Sequence, residues 1–298
     1  MPGLIWAAAA ILIWSGSLIL LRLGVTTGLT AYDLTALRFG VAAILLLPVL
    51  VRDGFLGDGP GLGGVLVMVA LFGAPYVLLL ALAVKTAPAA AAGALNPGVM
   101  ALASVFMARV FHAQRISPVR LLGIVSTMSG IMVFVWAAGG LATGHFVLFV
   151  TGLMWAAFAA FVRVRRVPAL RATALVAVGS AVLYLPVYVL ALPIGIGHAK
   201  LADVLLQAVF QGVLVTTVAV YAFGRSTELL GAEVGTSLPA LIPAVTLALD
   251  TVVIGETPRA WDVAAACLVT AGIALILLRG RPKIASGAGS DVAGQRCR

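Results

Sequence analysis

Residues 93–134 read GALNPGVMALASVFMARVFHAQRISPVRLLGIVSTMSGIMVF, and residues 235–277 read GTSLPALIPAVTLALDTVVIGETPRAWDVAAACLVTAGIALIL. Each stretch contains two apolar segments of helical length, with proline early and glycine late. The positions that align at a constant shift of 142 residues are Gly93 with Gly235, Pro97 with Pro239, Gln114 with Glu256, and Gly130 with Gly272. We therefore interpret the two stretches as copies of one sequence unit.

The similarity between the copies extends toward the amino terminus in the same order. Trp14 aligns with Trp155 at a shift of 141 residues, and the run Thr35-Ala36-Leu37 aligns with Thr173-Ala174-Leu175 at a shift of 138 residues. This order predicts a duplicated unit of roughly 140 residues, with repeats at 1–140 and 145–279. Residues 280–298 are rich in Gly, Ser and Ala with scattered charge, so we expect a disordered tail there.

The composition indicates an integral membrane protein. The chain is 62% hydrophobic and 10% charged, with a mean hydropathy of +1.17, whereas about 25% of the residues in a soluble domain are charged. Its 298 residues hold about ten spans of about 20 residues each. The predicted spans are Leu4 to Leu21, Leu34 to Val51, Gly63 to Val84, Ala89 to Arg109, Val119 to Ala138, Phe146 to Val162, Ala172 to Leu192, Val204 to Phe223, Val234 to Ile254 and Trp261 to Leu278. We expect an all-α membrane protein of ten transmembrane helices.

The distribution of basic residues predicts the orientation of these spans. If the amino terminus is cytoplasmic, 14 Lys and Arg residues lie on the inside and 4 on the outside, which follows the positive-inside rule. Both termini, the tail included, are then cytoplasmic, and the protein lies in the cell's inner membrane. Because each repeat has an odd number of spans, the two five-helix repeats are inverted. Inverted repeats are typical of secondary transporters, whose substrate site lies between the halves.

Several short motifs resemble one known family. They are Trp14-Ser15-Gly16, Thr35-Ala36-Leu37-Arg38-Phe39, Leu241-Ile242-Pro243, Gly255-Glu256-Thr257 and Gly272. In order and spacing they resemble the EamA family of the drug/metabolite transporter superfamily, over nearly the whole chain. The resemblance implies an exporter of small metabolites or drug-like compounds, often amino acids, with a cavity that opens alternately to each side. Ala113-Gln114-Arg115 departs from the Gly-Glu-Arg of the family pattern.

Two charged residues inside predicted spans are candidates for the site. An ionisable residue within a membrane costs about 2.5–3.5 kcal/mol, so it needs a partner or water. Arg38 and Asp250 fall at similar depth near the outer surface, and we expect electrostatic coupling between them. The alternative is that Arg38 reaches the interface or pairs with Asp33. Asp250 is also the candidate proton carrier, because a carboxylate in apolar surroundings binds a proton more readily than one in water.

Further polar, aromatic and proline residues are expected to line the substrate pathway. Proline removes a backbone donor, and such breaks in membrane helices are tolerated where they line protein or a cavity. Tryptophans well inside a span can wall a cavity or fill space between helices, and Gln207 and Gln211 share a helix face. The candidates are Trp14, Tyr76, Asn96, Pro97, Trp155, Gln211, Tyr221, Pro239 and Pro243.

The sequence favours transport over catalysis. Cys267 and Cys297 are isolated, and there is no HExxH motif or GxxxxGK[ST] phosphate loop, so we expect no enzyme activity, cofactor or metal. The alternatives are an exchanger of phosphorylated or nucleotide-linked solutes and a non-transporting membrane partner protein. The expected partners are a small-molecule substrate, a proton or other coupling ion, and the lipid bilayer, but no nucleic acid. Small residues at Gly123 to Gly130 and Ala264 to Gly272 suit close packing within a repeat or the face of a homodimer.

Overall fold

The computed structural model describes residues 2–54, 59–113, 115–230, 238–255 and 257–278, and the regular elements in these ranges are helices. Those of repeat 1 are α1 Pro2–Thr27, α2 Ala31–Asp53, α3 Gly61–Phe72, α4 Ala74–Ala83, α5 Ala89–His112 and α6 Pro118–Ala137. Those of repeat 2 are α7 Thr143–Arg165, α8 Ala169–Ala191, α9 Leu201–Gln207, a π-helical segment Ala208–Val218, α10 Ala219–Leu230, α11 Ile242–Val253 and α12 Ala260–Leu278. Gln114, Gly235, Glu256 and the tail at 280–298 lie outside the described residues.

The helices confirm the predicted all-α membrane class. Within the described ranges, nine helical stretches are long and apolar enough to cross a membrane, and Leu238–Val253 is a shorter apolar stretch where another span was predicted. Most of them extend past the predicted spans, because polar caps and prolines set their ends. Thr30 caps α2 together with Asp33, and Ser117 caps α6 directly before Pro118. A hydropathy window detects the apolar centre of a helix and misses such ends.

Contacts between the repeats are exchanged by an approximate two-fold relation. Three helix pairs map onto themselves, namely α2 with α8, α5 with α11, and α6 with α12. Others map onto one another: α1 packs against the π-helical segment and α10, just as α7 packs against α3 and α4. The third span of each repeat therefore holds the first span of the other. This arrangement agrees with the predicted inverted duplication.

The contact between α6 and α12 shows the relation at atomic detail. A Cβ atom added at Gly130 would lie 2.9 Å from the carbonyl oxygen of Ala265, and one added at Gly272 would lie 2.8 Å from that of Gly123. The shift of 142 residues exchanges Gly130 with Gly272 and Gly123 with Ala265, so the two clearances are the same contact seen from either side. Our expectation of packing within a repeat is wrong, since these small residues join the two repeats.

The third span of each repeat is irregular, where we predicted continuous helices. Gly73 interrupts the first of them between α3 and α4, and the backbone N–H of Ala74 donates to Ser180 Oγ at 3.1 Å. The helix resumes with Pro75, which has no N–H to donate. In the other repeat the span Leu201–Leu230 contains the π-helical segment, where Thr216 Oγ1 donates to the carbonyl oxygen of Gln211 at 2.9 Å. Such segments often mark functional sites.

The prolines of the fourth spans behave differently from our expectation of broken helices. Pro97 lies inside α5, which continues through it from Ala89 to His112. Pro239 belongs to a short 3₁₀ turn, Leu238–Leu241, and Pro243 lies in the first turn of α11. A proline in a first turn removes no helical hydrogen bond, so Pro243 starts its helix without kinking it.

Candidate functional site

A buried polar cluster joins α1, α2 and the π-helical segment. Ser17 Oγ donates to Gln211 Oε1 at 2.9 Å, and Gln211 Nε2 donates back to the carbonyl oxygen of Ser17 at 3.1 Å. Arg38 Nη1 makes a longer hydrogen bond to the same Gln211 Oε1, at 3.4 Å. Gln211 is fully buried. Arg38 of the first repeat therefore meets a neutral amide of the second, supported by α1.

A second polar pair lies on α4 and α5. Asn96 Nδ2 donates to the Tyr76 hydroxyl at 2.7 Å, and both side chains are buried. Asn96 Oδ1 is buried and has no hydrogen-bond partner among the described residues. Tyr76 interacts electrostatically with Arg38, which connects this pair to the Gln211 cluster. The side chains of Ser17, Arg38, Tyr76, Asn96 and Gln211 are called the polar layer below.

The polar layer lies at one depth in the bundle. Its residues are seven to ten positions from the ends of helices α1 and α4 or from the starts of α2, α5 and α9, which corresponds to about 10–15 Å at 1.5 Å per residue. These ends meet, since Arg22 Nη1 donates to Ala87 O at 2.9 Å and Gly195 N to Asp33 Oδ1 at 3.1 Å. We call them the Asp33 end of the bundle. The layer therefore belongs to the membrane interior.

Two tryptophans extend the relation between the repeats. Trp14 packs against Phe223, with ring centroids 5.3 Å apart, and Trp155 packs against Phe72 at 6.1 Å. In each case a tryptophan of the first span of one repeat meets a phenylalanine of the third span of the other. Both tryptophans remain half-buried. Their position between helices agrees with the space-filling alternative.

The remaining pathway candidates lie apart from this layer or beside it. Tyr221 is 58% exposed and packs edge-on against Trp6 at 5.7 Å, outside the polar layer. Pro97 follows Asn96 directly and is buried, as are Pro239 and Pro243. Asn96 is thus the residue of the Asn96-Pro97 pair that brings a polar side chain to the layer.

The charged residues have the following surroundings. Arg38 bonds to Gln211 and not to Asp33, whose carboxylate accepts from Thr30, Tyr188 and Gly195. Asp250 is 6% exposed and lies near the end of α11, which packs against α1, α5 and α12. The predicted electrostatic coupling of Asp250 with Arg38 stays a prediction.

The structure adds residues that the sequence did not single out. Ser17 has no motif, and only its depth in an apolar span could have drawn attention to it. We expected every histidine in or beside a loop, but His145 is 2% exposed in the first turn of α7. Its Nδ1 accepts from the backbone N–H of Ala142 at 3.1 Å, which is a helix-capping role.

Neither metal chemistry nor a surface groove competes with the polar layer in the described part of the chain. No group of three or more His, Cys, Asp or Glu that could hold a metal ion occurs among those residues. An apolar surface depression on α8 is lined by Ala181, Val182, Leu185, Pro186 and Val189. A depression without polar groups suits lipid chains better than a polar solute.

The repeated bundle, its apolar spans and its buried polar layer define a multi-pass membrane protein of transporter type. Models of the EamA-like transporter family match residues 1–136 and 142–278, and the chain therefore belongs to this family of drug/metabolite-type transporters. Its substrate is accordingly a small molecule, and its medium is the lipid bilayer. A crystal structure of another protein has a TM-score of 0.61 and 21% sequence identity, covering 96% of this chain and 99% of the other, and so has the same fold. No curated protein matches the chain.

Proposed function

We propose that the protein is a secondary active transporter that exports small metabolites, amino acids or drug-like compounds, by alternating access. The observation that carries this proposal is the polar layer, which unites side chains of both repeats in the membrane interior. Buried polar groups inside a membrane are costly and mark substrate pathways. Secondary transporters bind their substrates at this position between inverted repeats.

The direction of the spans supports export across the inner membrane. With both termini cytoplasmic, 14 basic residues face the cytoplasm and 4 face the outside. The Asp33 end of the bundle is then the outer end. The polar layer lies about 10–15 Å below it, so substrate reaches the layer from the cytoplasm through the opposite half of the bundle.

Coupling to protons is the second part of the proposal. Asp250 carries a carboxylate that is 6% exposed on α11, a helix that contacts α1 and α5, both of which contribute to the polar layer. Intramembrane carboxylates serve as proton carriers in many transporters. Uptake and release of a proton at Asp250 would therefore link the orientation of the two repeats to the proton gradient.

Exchange of phosphorylated solutes fits the site less well. Apart from Arg38, the basic residues of the described chain lie in first turns, in the last two turns of helices, or in connections. A phosphate dianion would face a single guanidinium in the layer. We also propose that the chain is not an enzyme. The small residues that could form a homodimer face are occupied by the contact of α6 with α12.

The test is efflux from preloaded proteoliposomes, with and without an imposed pH gradient, across amino acids, cationic drugs and metabolites. The variants are Asp250→Asn and, as a matched control near the same membrane face, Asp262→Asn, whose carboxylate accepts from Arg259 N at 2.9 Å. Gradient-dependent flux that is lost in Asp250→Asn alone supports proton-coupled export. Flux that ignores both the gradient and Asp250→Asn contradicts coupling. No flux for any solute contradicts transport and favours a partner protein.

A further inference from the structure

Arg38 holds a guanidinium in the bundle with few protein partners. A guanidinium has five N–H donors. The hydrogen bond that Arg38 gives within the described chain is the 3.4 Å contact from Nη1 to Gln211 Oε1, and its buried Nε has no partner there. The side chain is half-buried, so part of it remains accessible. A cation at this depth needs a stronger acceptor than one distant amide.

Gln211 is built to keep its place when Arg38 leaves it. Its amide is held at both ends by Ser17, through Oε1 at 2.9 Å and Nε2 at 3.1 Å. The contact with Arg38 is the longest of the three. Because a carboxylate accepts a hydrogen bond from guanidinium more strongly than an amide does, a carboxylate would displace Gln211 from Arg38. The Ser17 contacts would survive this exchange.

Tyr76 and Asn96 supply complementary groups beside the guanidinium. The Tyr76 hydroxyl oxygen accepts from Asn96 Nδ2 at 2.7 Å, which leaves its O–H available as a donor. Asn96 Oδ1 is a buried acceptor without a partner among the described residues. The layer thus offers guanidinium and phenol donors for a carboxylate, and one amide acceptor for a neighbouring N–H or O–H group.

The charge of the layer limits the anion to a single charge. Arg38 is the cation that the described structure brings to Tyr76 and Gln211. A monocarboxylate neutralises one guanidinium with two parallel hydrogen bonds, whereas a second negative charge would stay without a cationic partner. Cationic compounds that lack a carboxylate would face Arg38 as a like charge.

We infer that Arg38 recognises the substrate, that the substrate class is solutes carrying one carboxylate, and that Gln211 is the partner which the carboxylate replaces. This inference rests on the proposed transport function and narrows its range of substrates. Arg38 binds the carboxylate, Tyr76 donates to it, and Asn96 accepts from the group next to it. Drug-like amines without a carboxylate are excluded.

The test compares matched triplets of solutes in proteoliposome counterflow. Each triplet is an amino acid, its carboxamide and its decarboxylated amine, for the leucine, phenylalanine and glutamine side chains. Wild-type protein should move at least one acid about tenfold or more faster than its two relatives, the ratio expected for loss of a charge-assisted hydrogen bond. The acid alone should raise the thermal unfolding midpoint of the purified protein.

The variants separate recognition from folding. Arg38→Gln should remove the preference for the acid, and Arg38→Lys should keep part of it. Arg52→Gln is the matched control, because Arg52 lies exposed at the end of the same helix. Gln211→Glu should give Arg38 an internal carboxylate, so the unfolding midpoint should not fall while acid flux drops about tenfold.

Each outcome decides between the two levels of the proposal. Equal flux of acids and amides through the wild-type protein overturns the inference and leaves transport standing. So does an unchanged acid preference in Arg38→Gln, or unchanged acid flux in Gln211→Glu. If no member of any triplet moves, but a cationic drug or phosphorylated metabolite does, the substrate class is wrong. If nothing moves and nothing stabilises the protein, the proposed function fails together with the inference.

Discussion

The Tyr188 hydroxyl donates a hydrogen bond to the Asp33 carboxylate and so ties the end of α8 to the start of α2. The carboxylate also accepts from Thr30 N at 2.7 Å, Thr30 Oγ1 at 2.8 Å and Gly195 N at 3.1 Å. Asp33 is fully buried. One side chain thus caps a helix of the first repeat and fastens the second repeat to it at one end of the bundle.

Removing the Tyr188 hydroxyl should destabilise the protein more than removing that of Tyr184. Tyr188→Phe loses a hydrogen bond to a charged group, about 1.5–3 kcal/mol, while Tyr184→Phe loses a neutral one, about 1 kcal/mol. Tyr184 lies one turn earlier on α8 and donates to Tyr32 O at 3.1 Å. Thermal unfolding in detergent measures the difference. Equal shifts of the midpoint would show that the carboxylate adds nothing to the contact.

Alanine at Gly73 should disturb the junction of α3 and α4. An added Cβ would meet the Ser180 hydroxyl and the backbone of Val69, which cannot both move aside. We expect a loss of about 1–3 kcal/mol in unfolding free energy from this overpacking. Gly63→Ala is the control, because nothing lies within 4 Å of a Cβ atom there. If the control lowers the unfolding midpoint as much as Gly73→Ala, the junction is not the cause.

Valine at Gly130 and valine at Gly272 should have similar effects. Each side chain would press on the backbone of the facing helix, at Ala265 and Gly123 respectively, and force α6 and α12 apart. Each should lower the unfolding free energy by about 1–3 kcal/mol or more. Gly224→Val, at an open position of α10, serves as control. A strong effect at only one of the two glycines would contradict the reciprocal contact.

Replacing Asn96 by leucine should impair transport more than folding. The change removes the buried acceptor Oδ1 and leaves the Tyr76 hydroxyl without its donor, at similar side-chain volume. Counterflow of a transported solute should fall about tenfold. Ser104→Ala is the control on the same helix, because Ser104 Oγ donates to Met100 O of its own helix. Wild-type flux in Asn96→Leu would remove Asn96 from the pathway.

The sequence predicts the helices and the duplication because both depend on local composition. Apolar length marks each span, and recurring Gly and Pro positions mark the repeat. Where tertiary contacts decide, the prediction is weaker. Pro97 suggested a broken helix, yet α5 continues through it. Gly73 gave a weaker signal but ends α3, because Ser180 of the other repeat receives the freed N–H of Ala74.

The site illustrates the same limit. Depth along the chain suggested Arg38, Asn96 and Tyr76, since the distance of a residue from the end of its span can be read from hydropathy. The partner of Arg38 could not be read in this way. Gln211 turns toward α1 and α2 from a π-helical segment, whose wider turns change the face that a period of 3.6 residues predicts.

The reciprocal contact of α6 with α12 has a consequence for the origin of the chain. Since Gly130 and Gly272 play the same part from opposite sides, nothing in this contact depends on the peptide segment that joins the repeats. Two separate copies of a single repeat, inserted into the bilayer in opposite directions, could form it equally well. The contact would then predate the fusion of the two halves, and the fusion would have freed Arg38 and Gln211 to become different residues in each half.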